Sequence, residues 1–311
     1  MSGKLRLGLG PGQGSNARLR ESVSCLNWLS SYGGTSVTRP YRYRPALFFV
    51  LAYALSWMSW LAGIYAGSLP ELEPYGALAN LAGVLGPIGA ALFLVLTSGS
   101  AALKHDFRDR LFNLRQVRPL YAALAVAIPF AVICLSILLS LWLGQPADQF
   151  RLSGGTGLVP LVGLALVFAP ICEEVGWHGY GADSLRDRFD MLPATLLFAA
   201  LWCAWHAPLV FVPGTYQHEL ATMDNKIFVV NFFVSIIPAG IIANWFYYKN
   251  DRSTAAAILL HAMLNAAAVL IAAGQVAKII ATFIYAAIAA ALIIGDRRLF
   301  AEGPRNFLNA R

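Results

Sequence analysis

Apolar runs of about 20 residues, the length that crosses a hydrocarbon core, recur along the chain and are separated by short polar segments. They fall at 46–67, 75–98, 120–144, 157–178, 193–212, 227–248, 254–273 and 275–295. The pattern predicts an all-α, polytopic integral membrane bundle of about eight transmembrane helices. The last two runs almost touch, so they read as a tight hairpin or as one long, broken helix. Residues 1–45 read as a basic, disordered tail, 46–295 as the transmembrane domain, and 296–311 as a second tail.

Composition agrees with this reading. The chain is 58% hydrophobic and 13% charged, about half the charged fraction of a soluble domain. Its 311 residues have a mean hydropathy of +0.61. With eight spans, 20 of the 23 Lys and Arg residues fall on one face, leaving Arg151, Lys226 and Lys278 on the other. Such asymmetry sets orientation, so both termini are expected in the cytoplasm. The net charge of +7 is then a topology signal and does not point to nucleic acid. Cys25, Cys134, Cys172 and Cys203 form no CxxC pair and read as small packing residues. The alternating Gly8, Gly10, Gly12 and Gly14 match no phosphate-binding loop. No apolar stretch precedes Pro45, so no cleavable signal peptide is expected.

The acidic residues narrow the search. Fourteen of the 16 Asp and Glu residues lie in predicted tails or loops, and only Glu173 and Glu174 fall inside a span. His178, His206 and His261 accompany them on the fourth, fifth and seventh runs. Ionisable groups inside a membrane face a protein interior or an aqueous cavity and mark function. Glu174 and His178 are i,i+4 and share a helical face, while Glu173 points about 100° away. Trp202 and His206 repeat the spacing, as do His261 and Asn265. Pro170 and Pro208 break the backbone ladder beside these residues, which suits a wet pocket. Taken one by one, a buried His is a hydrogen-bonded core residue and Asn265 an interhelical hydrogen bond. Taken together, the three helices point to one shared polar site.

The segments "EEVGWHGY", "LWCAWHAPL" and "LLHAMLNAA", in this order, resemble the CPBP family of intramembrane proteases. This family comprises the type II CAAX prenyl endopeptidases and the bacteriocin-processing or immunity proteins. Its pattern is EExxxR, an aromatic followed four residues on by His, and HxxxN. The resemblance covers about 155–275. It departs at His178, where the family has Arg, and His is shorter and titrates near neutrality. It implies an intramembrane endopeptidase acting on a membrane-associated, lipid-modified peptide in a bacterial cytoplasmic membrane. Glu173 would be the general base, and His206 would position the water. His261 and Asn265 would bind the oxyanion. Glu174 and His178 would support the helix end, and Trp202 would pack on His206.

No cofactor is the expected state. A zinc ion held by Glu173, His206 and His261 is the alternative, although HExxH and HxxEH are absent. Membrane lipid and a peptide substrate are the expected partners, and the oligomeric state is not legible. Two non-enzymatic uses of the same residues stay open: a catalytically inactive immunity or scaffold protein, and a proton-coupled transporter.

Overall fold

Proline and glycine decide where the apolar runs start and bend. The computed structural model of the chain describes residues 41–153 and 163–308. Helix α1 (Pro45–Gly67) opens on a proline, whose missing N–H would be unpaired in a first turn anyway. The second run folds as α2 (Glu73–Gly83) and α3 (Gly86–Leu96), which meet at 54°. Pro87 has no N–H for the Gly83 carbonyl, so the helix breaks there. Both halves pack on α1. At the bend a Cβ on Gly86 would lie 2.0 Å from Ser56 Oγ, so only glycine admits this approach.

Helix α4 (Ala101–Phe112) is capped by Ser100, whose Oγ accepts the Leu103 N–H at 3.2 Å. Helix α5 (Pro119–Trp142) again starts on proline. The α6 rod spans 164–186 in four sections. A π-type turn (Leu164–Phe168) precedes an α-helical stretch (Ala169–Gly176), then a second π-type turn (Trp177–Gly181) and a final α-helical turn (Ala182–Arg186). The first π-turn lies directly before Pro170, where the regular ladder has no donor.

Helix α7 (Met191–Trp205) tightens into a 3₁₀ turn (Ala207–Phe211) containing Pro208. Helices α8 (Tyr216–Thr222), α9 (Ile227–Lys249), α10 (Thr254–Leu270), α11 (Gln275–Gly295) and α12 (Arg297–Phe300) follow. Ser253 caps α10 through its Oγ, 3.3 Å from the Ala256 nitrogen.

The protein is an all-α, multi-pass membrane bundle. Among the described residues, α1, α5, α7 with its 3₁₀ turn, α9 and α11 are long and apolar enough to cross a membrane, and α2 with α3 forms a bent sixth span. Helix α10 is shorter, at 17 residues. The start of the fourth expected span, most of the N-terminal tail and residues 309–311 lie outside the described residues. The last two runs are separate helices, each packed on α5. Extended residues between them pair with 151–153, the Ser153 N–H donating to Leu270 O at 2.8 Å and the Ala272 N–H to Arg151 O at 3.0 Å.

Two sequence-based boundaries need correction. The fourth run does not end at His178: α6 continues to Arg186, because the π-turn absorbs an extra residue without breaking the rod. The segment 99–119 is not a simple loop but holds α4. Rod α6 lies against α3, α7 and α10, which places the two glutamates between the helices that carry His206 and His261.

Candidate active site

Adjacent residues on a helix point about 100° apart, and the two glutamates use this divergence. Glu174 faces α10 and its own helix, and is 1% exposed. Its Oε1 accepts from His261 Nδ1 at 2.8 Å, and its Oε2 pairs with His178 Nδ1. Both carboxylate oxygens are therefore committed. Glu173 turns towards α7 and is 6% exposed. One oxygen, Oε2, accepts two indole N–H groups, from Trp202 at 3.0 Å and from Trp177 at 3.4 Å. Among the described residues its Oε1 carries no hydrogen bond.

His206 stands just past the end of α7, because the helix tightens there ahead of Pro208. Its Nδ1 lies 2.8 Å from the Trp202 carbonyl. A carbonyl only accepts, so Nδ1 bears the hydrogen, and a neutral ring presents an Nε2 lone pair. The Trp202 ring lies 6.1 Å from His206 and 5.3 Å from His261, so this indole sits between the two imidazoles. Trp205 and Phe232 close around His206, with ring centroids 4.8 and 5.6 Å away. Asn265 lies one turn beyond His261 on α10 and is half-buried.

The sequence-predicted residues Glu173, Glu174, His178, Trp202, His206 and His261 thus gather around α6. Trp202 does more than pack on His206: it donates to Glu173. Trp177 was missed, although its i,i+4 spacing from Glu173 is the signal that also marked His178. Cys134, Cys172 and Cys203 are free, and Cys25 lies outside the described residues.

Residues 155–267 match the family described as Type II CAAX prenyl endopeptidase Rce1-like. The CAAX prenyl protease 2 of Methanococcus maripaludis is 37% identical over 266 residues, which cover 84% of this chain and 97% of that protein. The chain belongs to the type II CAAX prenyl endopeptidases. The three segments that carry the family pattern are the same ones that α6, α7 and α10 bring together here.

The zinc set considered for this endopeptidase fold can be tested on geometry. Among the described residues, no three His, Cys, Asp or Glu side chains are grouped so as to hold a metal ion. The Nδ1 atoms of His206 and His261 are already hydrogen-bonded, which leaves Nε2 as the atom each ring would offer a metal.

A second polar cluster in this type II CAAX family member escaped the sequence reading altogether. Asp106 and Arg110 of α4, Asp183 of α6 and Arg252 are all buried. Arg110 Nε donates to Asp106 Oδ2 at 2.8 Å. The Arg252 guanidinium bridges Asp106, with Nη1 at 3.1 Å from Oδ1 and Nη2 at 2.9 Å from Oδ2, and also pairs with Asp183. The Tyr247 hydroxyl donates to Asp183 at 3.1 Å. Among the described residues the cluster holds two carboxylates and two guanidinium groups. Burial pushes the Asp106 carboxyl up, but the neighbouring Arg110 and Arg252 prevail and hold it below its ordinary value of 3.8. Two corrections follow. Asp106 and Asp183 are not loop acids but lie in helices and are buried, and Arg110 and Arg252, counted among the charges of one face, are buried with them.

Proposed function

We propose that the protein is an intramembrane endopeptidase that cleaves a membrane-associated, lipid-modified peptide of the CAAX type with a water activated by Glu173. One observation carries this reading: among the described residues, one of two adjacent buried carboxylates is saturated by imidazoles and the other keeps an oxygen with no hydrogen bond.

A peptide carbonyl needs a nucleophile and a stabiliser for the oxyanion that forms. Water between Glu173 Oε1 and His206 Nε2 would direct one hydrogen to each acceptor and aim its lone pair at the carbonyl carbon. Glu173 takes the proton as the C–O bond forms, giving the tetrahedral oxyanion. The same proton then passes to the departing amide nitrogen as the C–N bond breaks, leaving a carboxylic acid and an amine, which become carboxylate and ammonium by proton exchange.

His261 would bind the oxyanion through Nε2. Its Nδ1–H already points at Glu174, so donation through Nε2 requires the doubly protonated ring. Glu174 supplies the countercharge for that imidazolium, and His178 fixes the other carboxylate oxygen. Asn265, one turn further along α10, would supply a second donor. The name of the Methanococcus relative supports the substrate class. The basic face supports placing both termini in the cytoplasm, with the substrate entering from that side.

The test is cleavage of a farnesylated CAAX-type peptide by protein reconstituted in lipid vesicles. Wild type should cleave, Glu173→Gln should not, and both should show the same thermal midpoint. Cleavage by Glu173→Gln at the wild-type rate would refute the base assignment. Activity lost on chelation and restored by one equivalent of zinc would favour the metal reading. A wild-type protein that cleaves no such peptide would favour the inactive-scaffold reading.

A further inference from the structure

Arg110 belongs to α4, a helix outside the site, and its side chain is fully buried. Its Nε donates to Asp106, and its Nη1 donates to the Tyr247 hydroxyl at 2.6 Å. The remaining donors go to the backbone of α6: Nη1 to His178 O at 3.1 Å and Nη2 to Gly179 O at 2.8 Å. Those two carbonyls lie in the π-turn Trp177–Gly181. A π-turn inserts one residue into the i→i+4 ladder, so the local carbonyls outnumber the amides that regular pairing offers. A guanidinium fork fits two adjacent carbonyls, whereas a single ammonium does not.

The His178 side chain has little else to aim it. Its ring is enclosed by Phe198 and Tyr247, with centroids 5.0 and 4.9 Å away. Its Nε2 is buried with no hydrogen-bond partner among the described residues. Among the described residues the only polar hold on the imidazole is therefore the one it makes with Glu174. Its direction is set by where the backbone places Cα and by the two aromatic walls. Arg110 grips that backbone and hydrogen-bonds one wall, Tyr247. Helix α4 also seats tightly on the same turn, since a Cβ on Gly179 would lie 2.9 Å from Phe107 Cε2. The family pattern has Arg at position 178. Here a guanidinium from another helix meets that residue at its carbonyl.

We infer that Arg110 is a positioning residue of the site: it clamps the π-turn so that the His178 imidazole stays on Glu174, and Glu174 stays aimed at His261. The charge quartet is what allows a guanidinium to be buried at this place, because Asp106 and Asp183 neutralise it. The activity part of the inference rests on the endopeptidase reading, but the geometric part does not.

The experiment uses full-length protein labelled with ¹⁵N-histidine in lipid nanodiscs, with the His178 signals assigned by their loss in His178→Gln. In Arg110→Lys the hydrogen-bonded Nδ1–H resonance of His178 should shift upfield or broaden away, while that of the distant His218 stays in place. Tyr247→Phe, which removes one Arg110 anchor and leaves the quartet balanced, should move the same resonance less. It decides the question if Arg110→Lys does not fold. An unmoved His178 resonance in a folded variant overturns the inference.

With cleavage as readout, Arg110→Lys should lower kcat on the order of 10- to 100-fold with KM unchanged. The same change made in His178→Gln should lower kcat little further, because both substitutions disable one device. Fully additive losses would show that Arg110 acts through overall stability and would overturn the inference. If wild type cleaves nothing, the endopeptidase reading fails, and the resonance experiment still decides the role of Arg110.

Discussion

Two buried polar clusters lie within one helical bundle, and they are built from different chemistry. The quartet of Asp106, Arg110, Asp183 and Arg252 sets permanent cations against carboxylates in equal number. The cluster around Glu173 and Glu174 contains two carboxylates whose nearby cationic candidates are histidines, and its donors are two indoles. The first arrangement loses if any member changes its charge. The second is made of carboxylates and imidazoles, and among the described residues one carboxylate oxygen has no hydrogen bond. Burial alone therefore does not mark a reactive centre. The sign is an incomplete set of partners among groups able to titrate.

The comparison can be broken first at the cluster proposed to be reactive. Glu173→Gln and His206→Ala should each lower kcat/KM by about 10²–10⁴-fold, the usual contribution of a positioned acid or base, without moving the thermal midpoint. Peptide cleavage and a thermal scan on the same preparation give both numbers. A large loss of stability with little loss of rate would reverse the roles assigned to the two clusters.

Within the quartet, Arg110 apart, the opposite signature is expected. Asp183→Asn leaves two guanidinium groups facing one carboxylate, which should destabilise the fold by about 3–5 kcal/mol. Denaturation in detergent measures this, and molecules that remain folded should retain most of their activity. An unchanged midpoint would show that the cluster is hydrated in the membrane-embedded protein.

Trp177→Phe sharpens the contrast by removing one N–H and keeping the ring. A hydrogen bond to a charged acceptor contributes about 1.5–3 kcal/mol. At 3.4 Å this one is long, so a loss of rate of about tenfold is expected. A rate equal to wild type would leave Trp202 as the sole indole holding Glu173.

Acidification should act on the quartet more gently. The Asp106 carboxyl is held below 3.8 in the folded protein despite its burial, so the unfolded chain binds that proton more readily. Its stabilisation is complete above the unfolded value and declines as pH falls through and below it. Midpoints measured between neutral and about pH 3 should fall more steeply in wild type than in Asp106→Asn. Parallel curves would remove Asp106 from the account. Smallest of all, Cys172→Ala and Cys203→Ala should change cleavage by less than about twofold, and loss of activity in either would point to a thiol mechanism.

Much of the membrane architecture was legible because hydropathy over 20 residues reports directly on lipid contact. The three site helices were legible because Glu173, Glu174, His206 and His261 are out of place in apolar runs, and i,i+4 spacing assigned their faces. The saturation of Glu174 was not legible. It depends on which way α10 turns His261, and that is set by packing on α5 and α6. The quartet was hidden for a different reason. Asp106 and Arg110 sit in "KHDFRDRLF", where an i,i+4 pair looks like any solvated helix face, and nothing local says that α6 and the 250–253 turn cover it. The π-turns leave no composition signal either, since one extra residue in a helix changes no apolar period enough to be read.

Gly176 lies between the glutamates and His178, and an added Cβ would come within 2.4 Å of the Pro87 carbonyl carbon. The wall it meets is main chain at the α2–α3 bend, so no rotamer change can make room. Even alanine, the smallest step open to a glycine codon, is closed to this position while the bend stays where it is. The route opens only if the segment around Pro87 retreats first. Variation in the site rod and in the bent α2–α3 span is therefore tied together, and a library that randomises α6 alone should return glycine at 176.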